Sequence, residues 1–560
     1  MTTATPHSSA KKPPLHVRAL RRSLRGLPPK LHDVGHEPDL EVPAADGSTL
    51  LTDRYFPLAD GDFPTLLIRS PYGRGLPWAA MYGVLFAEQG FHVVLQSCRG
   101  TGGSGGDFAL WENEAADGRA TVAWLRRQPW FTGVLGTIGP SFLGYVQWAL
   151  AQDPPPELRA MVVQVGLHNL HGYFYSGGAF ALENTLATTM GLTHQHRSAL
   201  SLVRGALRLQ RHIGRIARTL PLGEAYVPGL GGRVPFLEEA MAHPDPEDAH
   251  WHGVDMGVAA ERLTVPTSLV TGWHDVALDQ TLQQYGRLRR AGCETALLVG
   301  PWTHHSALEK GWPEVFAESL AWLRAHLCDD RSGLRRTRAR VHLGGRRTWQ
   351  DLPDWPPATT HRRWYLTEGG TLSTEAPDGA SPPQSFRYDP ADPTPSVGGP
   401  LLSKSSGHQD NTALEARDDV LTFTTAPLTE PVQVLGPVSV ALAVGTGTGH
   451  ADVFARLCDV DGRGRSTNVC DGLRRLEPTG AAPAAVTVAM SSTAYRFAAG
   501  HRIRLQVSGG AHPRFARNTG SGEPLATATR LIPVDLSLHH PSALVLPLVE
   551  AESTHPSPAV

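Results

Sequence analysis

The chain has 560 residues, with 51 Lys+Arg against 53 Asp+Glu and a formal net charge of −2. That length exceeds one ordinary core and, at about 150 residues per domain, implies three or four units, while the balanced charge gives no reason to expect nucleic acid as a partner. Five cysteines without a CxxC pair argue against a disulfide framework or a structural zinc site, and for a reducing, cytoplasmic home.

The first 30 residues carry seven Lys/Arg and no acidic residue, and no apolar run follows them, so a disordered basic tail is expected over 1–35 rather than a signal or a membrane span. No later segment offers roughly 18 uninterrupted apolar residues, so no membrane contact is expected. From residue 50 the runs "TLLIRS", "HVVLQS" and "VLGTIG" read as strands, and "ENEAADGRATVAWLRRQ" as a helix between the last two. "AMVVQVG", "TSLVTGW" and "TALLVGPW" resume the strand pattern farther on. Strand and helix in alternation predict a parallel sheet covered on both faces.

Between the two sets the pattern is helical. "SLVRGALRLQRHIGRIARTL" places Arg204, Arg208, Arg211, Arg215 and Arg218 on one stripe and Leu202, Leu209, Ile213 and Ile216 on the other, which reads as a solvated face over an apolar one. Beyond about residue 345 short alternating runs separated by Gly, Pro, Asp and Ser predict a β-sandwich or jelly roll.

The chemistry concentrates in "GTIGPSFLGYVQWALAQDPPP", residues 136–156, where a strand turns on Gly-Pro-Ser into a helix that prolines stop. A strained strand-turn-helix of this kind projects a serine hydroxyl above the carboxyl ends of a parallel sheet. It also sets the next amide, that of Phe142, at a helix N-terminus where it would face a developing oxyanion. The second glycine is Gly144 rather than residue 143, a departure from strict G-x-S-x-G, and a plain serine N-cap is the competing reading. A serine needs a base to take its proton and a carboxylate to hold that base. "TSLVTGWHDVALD" puts Asp275 just past one strand and "TALLVGPWTHHSALEKGW" puts His304, with His305 as competitor, just past the next.

These stretches resemble the CocE/NonD-type serine hydrolases, which include the X-prolyl dipeptidyl peptidases of the S15 group. The resemblance runs over about residues 40–550 through "SPYGRG", "SCRGTGGSGG", "ENEAADG", "GPSFLGYVQW", "GWHD", "GPWTHH", "DGRGRSTNVCDGLRR" and "HPRFARNTG". It implies Ser141 as nucleophile, Asp275 as acid, His304 rather than His305 as base, and the Tyr72 hydroxyl with the Phe142 amide as oxyanion donors. It further implies an α/β-hydrolase domain with an inserted helical cap and a C-terminal jelly roll, and requires no cofactor or metal.

The expected organisation is hydrolase over 36–160 and 256–345, cap over 161–255 and jelly roll over 346–552. Phe174, Phe180, Ala277 and Trp273 are expected to contact substrate, a small acyl ester or amide, and a homodimer is left open. In related α-amino ester hydrolases two acidic residues follow the triad aspartate at positions that are Ala277 and Leu278 here, so a neutral acyl group is the better expectation. An acyltransferase, an X-prolyl peptidase anchored by Glu183 and a catalytically silent binding protein are the rivals. "DVDGRGRSTN" (Asp459–Asn468) lacks the closing glutamate of a calcium loop and reads as a hairpin turn. "SCRGTGGSGG" reads as a glycine-rich loop near the active-site floor rather than a phosphate cradle.

Overall fold

The computed structural model describes residues 11–193, 211–377, 381–447, 449–476 and 482–549. Strands β1 (Val34–Pro43), β2 (Thr49–Pro57), β3 (Thr65–Ser70), β4 (His92–Ser97), β5 (Leu135–Pro140) and β6 (Leu158–Gln164) precede an insertion that opens with a small hairpin, β7 (Tyr175–Ser176) and β8 (Ala179–Phe180). After it come β9 (Thr267–His274), β10 (Thr295–Thr303), β11 (Ala339–Leu343) and β12 (Thr348–Leu352). All but the hairpin form one sheet in the order β1-β2-β4-β3-β5-β6-β9-β10-β11-β12, parallel from β4 to β11 and antiparallel at both ends. Every residue of β3, β4, β5 and β9 is buried, because helices cover both faces, and this is why these strands read as unbroken apolar runs. The order and the flanking helices are those of an α/β-hydrolase.

Two boundaries differ from expectation. The segment expected as a tail over 1–35 contains a helix, Leu15–Ser23, which buries Val17 and pairs Arg21 with Glu88 at 2.8 Å. Val17, Leu20 and Leu24 give it an apolar face that its basic composition masked. The first sheet also continues past 345, since the β11–β12 hairpin extends it to Leu352.

The insertion carries helices Leu182–Thr193, Leu222–Ala225, Val227–Leu230 and Pro235–Ala242. Arg204 and Arg208, with Leu202 and Leu209, lie outside the described residues. Arg211, Arg215 and Arg218 are exposed, with Ile213 and Ile216 buried on the opposite side. From Thr360 to Leu548 ten strands make a second sheet, antiparallel except for one bridge between Thr371 and Thr424, that closes most of the way round as a jelly-roll-like domain. Its strand Val432–Thr446 buries Val438, Val440, Leu442 and Val444 in alternation, as a sheet with one covered face requires. Residues 461–465 turn between two paired strands, a hairpin stabilised by the Asp461 carboxylate accepting the Arg465 amide at 3.0 Å.

The insertion is zipped onto this second domain. At the β7–β8 tip Gly177 and Gly178 take φ of +58° and +86°, and the Gly177 carbonyl accepts the Arg475 amide at 2.7 Å. A Cβ on Gly177 would stand 1.7 Å from the Leu473 carbonyl oxygen, so only glycine permits this approach. Nearby, the buried Asp471 carboxylate takes Arg456 Nη2 at 2.9 Å and Arg514 Nη1 at 2.5 Å. Arg456 also donates to Asn411 Oδ1 at 2.8 Å and to the Val397 carbonyl, so the cluster fixes the loop that follows residue 397.

Candidate active site

The chain leaves β5 through Ser141 at φ 57°, ψ −121°, and enters the helix Phe142–Leu150 at once. A non-glycine residue in this region costs on the order of 1–3 kcal/mol and persists only where its surroundings over-determine it. Here the Ser141 amide donates to the Gln164 carbonyl at 2.9 Å, while the Gln164 side chain is held by Tyr82 Oη at 2.5 Å and Ser319 Oγ at 2.8 Å. The shifted glycine has a steric reason: a Cβ on Gly144 would lie 2.9 Å from Gly166 Cα and 3.0 Å from Val163 Cγ1, where the helix crosses the end of β6.

Asp275 and His304 follow the ends of β9 and β10, neighbours in the sheet, and so come together although 29 residues separate them. His304 Nδ1 lies 2.7 Å from Asp275 Oδ1. Asp275 is buried and fully engaged, with Oδ2 accepting Thr271 Oγ1 at 2.7 Å and Oδ1 accepting the Ala277 amide at 3.1 Å. His305 is more exposed and also borders the cavity, its ring 5.8 Å from that of His304, but the bond to Asp275 belongs to His304.

Tyr72 follows β3. Its amide donates to Ser70 Oγ at 3.1 Å and its ring stacks on Trp78 with centroids 5.8 Å apart. The glycine-rich loop backs this turn: a Cβ on Gly102 would stand 2.9 Å from Gly73 Cα, and Arg74 bonds both Ser97 Oγ (2.8 Å) and the Gly102 carbonyl (2.9 Å). Burial pushes the Tyr72 phenol up to about 12, with the nearby Ser141 hydroxyl acting the other way, so the hydroxyl is a protonated donor at neutral pH and borders the same cavity as the serine.

Ser141, Phe142, His304 and Tyr72 line one cavity of about 560 Å³, whose remaining wall is mostly apolar: Trp78, Trp111, Tyr173, Val276, Leu192 and Leu308 among others. Three parts of the chain build it. The helix Leu182–Thr193 supplies Leu192, and the second domain supplies Leu402, seated by its amide donating to Asn184 Oδ1 at 3.0 Å.

Sequence comparison gives the family. A family described as X-Pro dipeptidyl-peptidase (S15 family) matches residues 46–306, and its C-terminal non-catalytic domain matches 333–542. Cocaine esterase of Rhodococcus sp. (strain MB1 Bresler) is 30% identical over 91% of this chain and 98% of its own. The chain belongs to the CocE/NonD-type hydrolases of the S15 family. Among solved structures this hydrolase superposes on an α-amino acid ester hydrolase with a TM-score of 0.79 at 21% identity, covering 94% of this chain and 99% of that one. A CocE/NonD family hydrolase from Staphylococcus aureus gives 0.68 at 17%, covering 92% and 94%. At these identities the two likenesses speak for the fold.

The substrate contacts expected from sequence fall elsewhere. Phe174 and Phe180 stack 6.4 Å apart in the core of this hydrolase, 3% and 0% exposed, and neither faces the cavity. Phe174 ends the short helix His171–Phe174 and Phe180 lies in β8, both packed in the core, leaving Tyr173 as the aromatic of that segment in the wall. Ala277 is buried as the N-cap of the next helix, and Trp273 packs on Trp355 and donates to the His342 carbonyl at 2.7 Å, facing a separate cleft. Glu183 is buried at the start of its helix, outside the cavity wall. Trp111 and Leu402 had no local signal. Trp111 sits at φ +78° in a loop and is brought against Phe142 (6.0 Å) and Tyr145 (5.7 Å) only by the fold.

Proposed function

We propose that this hydrolase cleaves an ester of a neutral, largely apolar acyl group through an acyl-enzyme. Ser141 Oγ attacks the carbonyl carbon as His304 Nε2 takes its proton, and Asp275 holds the imidazole and balances its charge. The Tyr72 hydroxyl and the Phe142 amide donate to the oxyanion, and the alcohol leaves with the proton from His304. Water, deprotonated by the same ring, then releases the acid and frees Ser141. The observation that carries this reading is the 2.7 Å His304–Asp275 bond in the same cavity as the strained serine. An intact-mass measurement after treatment with a serine-reactive phosphonate tests it: one adduct per chain is expected, absent from Ser141→Ala, and an adduct that persists in that variant refutes the assignment.

Tyr72→Phe removes one donor made mainly for the transition state, so kcat should fall on the order of 10² to 10³ with little change in KM. An effect confined to KM would make Tyr72 a ground-state contact instead.

The ester reading is preferred over X-prolyl cleavage because Glu183, the candidate anchor for a free N-terminus, does not reach the cavity. The carboxylate that does, Glu309, is exposed at the rim. Turnover of a Gly-Pro anilide faster than of an aryl ester would reverse that preference. Acyl size should be read by the cap. Leu192→Ala is expected to reorder a panel of esters by about 1–3 kcal/mol in relative kcat/KM, whereas Phe180→Ala should lower thermal stability and leave the ranking intact. Identical rankings in both variants would remove the cap helix from the specificity pocket.

No helix among the described residues is long and apolar enough to cross a membrane. A cytoplasmic site of action is supported by the five cysteines, all unpaired thiols, four of them buried.

A further inference from the structure

Within the cap the helix Pro235–Ala242 ends in a short acidic loop that returns over it as a single turn, Ala249–Trp251. This return brings three donors together that nothing in the hydrolytic site uses. His243 Nε2 lies 3.3 Å from Glu239 Oε2, one helical turn earlier, and His250 Nδ1 lies 3.9 Å from the same oxygen. The donor atoms of Glu239, His243 and His250 all fall within 4.8 Å of one another. A tetrahedral zinc ion with bonds of ~2.0–2.1 Å holds its ligand atoms roughly 3.3–3.4 Å apart, which the Glu239–His243 pair already meets, while the His243 and His250 rings lie stacked 4.6 Å apart at 11° and must turn about their side-chain torsions to converge on one ion.

The surroundings of the cluster match a metal site better than a chance meeting of exposed side chains. His243 Nδ1 lies 2.8 Å from Asp248 Oδ2, which fixes the tautomer that presents Nε2 to the cluster, the arrangement that orients metal-bound histidines. The other Asp248 oxygen accepts the His250 amide at 2.8 Å, so one carboxylate places both imidazoles. Trp251, buried, donates from Nε1 to the His243 carbonyl at 3.0 Å and packs edge-on against the His250 ring at 4.6 Å, closing the loop from below. Both rings and the glutamate are reached by solvent, which gives a hydrated cation its entry path.

We propose that Glu239, His243 and His250 bind one divalent cation of the zinc class, with water completing the coordination. The donor set contains no thiol, which is why cysteine spacing could not reveal it, and two imidazoles with one carboxylate suit zinc, cobalt or nickel over calcium or magnesium. The ion would act as a clip. The same helix accepts the Tyr175 hydroxyl on the Ala240 carbonyl at 2.8 Å, so loading couples the loop to the base of the β7–β8 hairpin and steadies the cap rather than the chemistry.

The full-length chain, stripped with a chelator, desalted and titrated with zinc chloride, should retain one equivalent by elemental analysis and melt at a higher temperature when loaded. Cobalt chloride should give a visible absorption band from a nitrogen–oxygen site. His250→Gln and the double variant His243→Ala/His250→Ala should lose the equivalent, the melting shift and the band while keeping esterase activity, which reports that they fold. Asp248→Asn, with all three ligands present, should bind about 10- to 100-fold more weakly. Retention of the same equivalent by the double variant, or no stoichiometric binding by the unmodified chain, overturns the proposal.

Discussion

Ser141→Ala, His304→Ala and Asp275→Asn should each lose on the order of 10⁴ to 10⁶ in kcat and remain folded, and a double variant should be hardly worse than a single one, since such residues act as a unit. The structure makes Asp275→Asn the most informative of the three. The Thr271 hydroxyl that donates to Asp275 Oδ2 at 2.7 Å can rotate and accept from an amide instead, leaving the other oxygen to the Ala277 amide and to His304. Geometry is thereby preserved, and what disappears is the charge that stabilises the imidazolium; the same change costs about 10⁴ in the best-studied triad, where the histidine tautomer is lost as well. Steady-state kinetics with circular dichroism on the same samples checks this, and wild-type turnover in folded Ser141→Ala would sink the mechanism. His305→Ala, which leaves the His304–Asp275 bond in place, should cost far less.

Asp471→Ala carries the second largest expected effect, and on stability rather than chemistry. Burial pulls the Asp471 carboxyl upward, but Arg514 and Arg456 outweigh it and hold it below the ordinary carboxylate range. Its removal leaves two buried guanidinium groups without their counter-ion, which costs about 3–5 kcal/mol. The sign with pH follows from the lowered value. The contribution is complete above the ordinary aspartate pKa of ~3.9 and is lost as pH falls through the lower folded one, so this lock weakens in acid and is indifferent to mild base. Thermal unfolding of Asp471→Ala at neutral pH should show the loss. A melting temperature within a degree of the parent would mean that the two arginines find other partners.

The catalytic half of the fold was legible because its signals are local. Six apolar runs in alternation with helices give the parallel strands, and a serine at a strand-to-helix bend with an acid and a histidine at later strand ends gives the order of the site. His304 was separable from His305 only through the family resemblance, since both occupy the same strand end, and the structure separates them by the bond to Asp275. The pocket wall was not legible. Phe174 and Phe180 have the composition of a binding wall, yet a helix end and a hairpin strand pack them into the core, while Leu192 and Leu402 face the cavity from segments over 200 residues apart. Periodicity describes one element at a time and is silent on which side of a cap looks inward. The helix at Leu15–Ser23 was hidden for a related reason, because seven basic residues in 30 dominate a composition in which three apolar positions decide the outcome.

The contribution of Leu402 to the cavity bears on how the molecule comes into being. Every group proposed to react has been written once residue 304 is made, and the helix and strands that complete its sheet by residue 352, yet at that point Leu402 and the Asp471–Arg514 pair that fixes its neighbourhood are still to come. At ~5–20 residues per second the stretch from Leu352 to Arg514 takes roughly 8 to 32 s, during which the binding wall is open. Translation thus separates the birth of reactivity from the birth of selectivity, and ribosome-bound chains arrested just before residue 402 should accept acyl groups that the finished protein turns away.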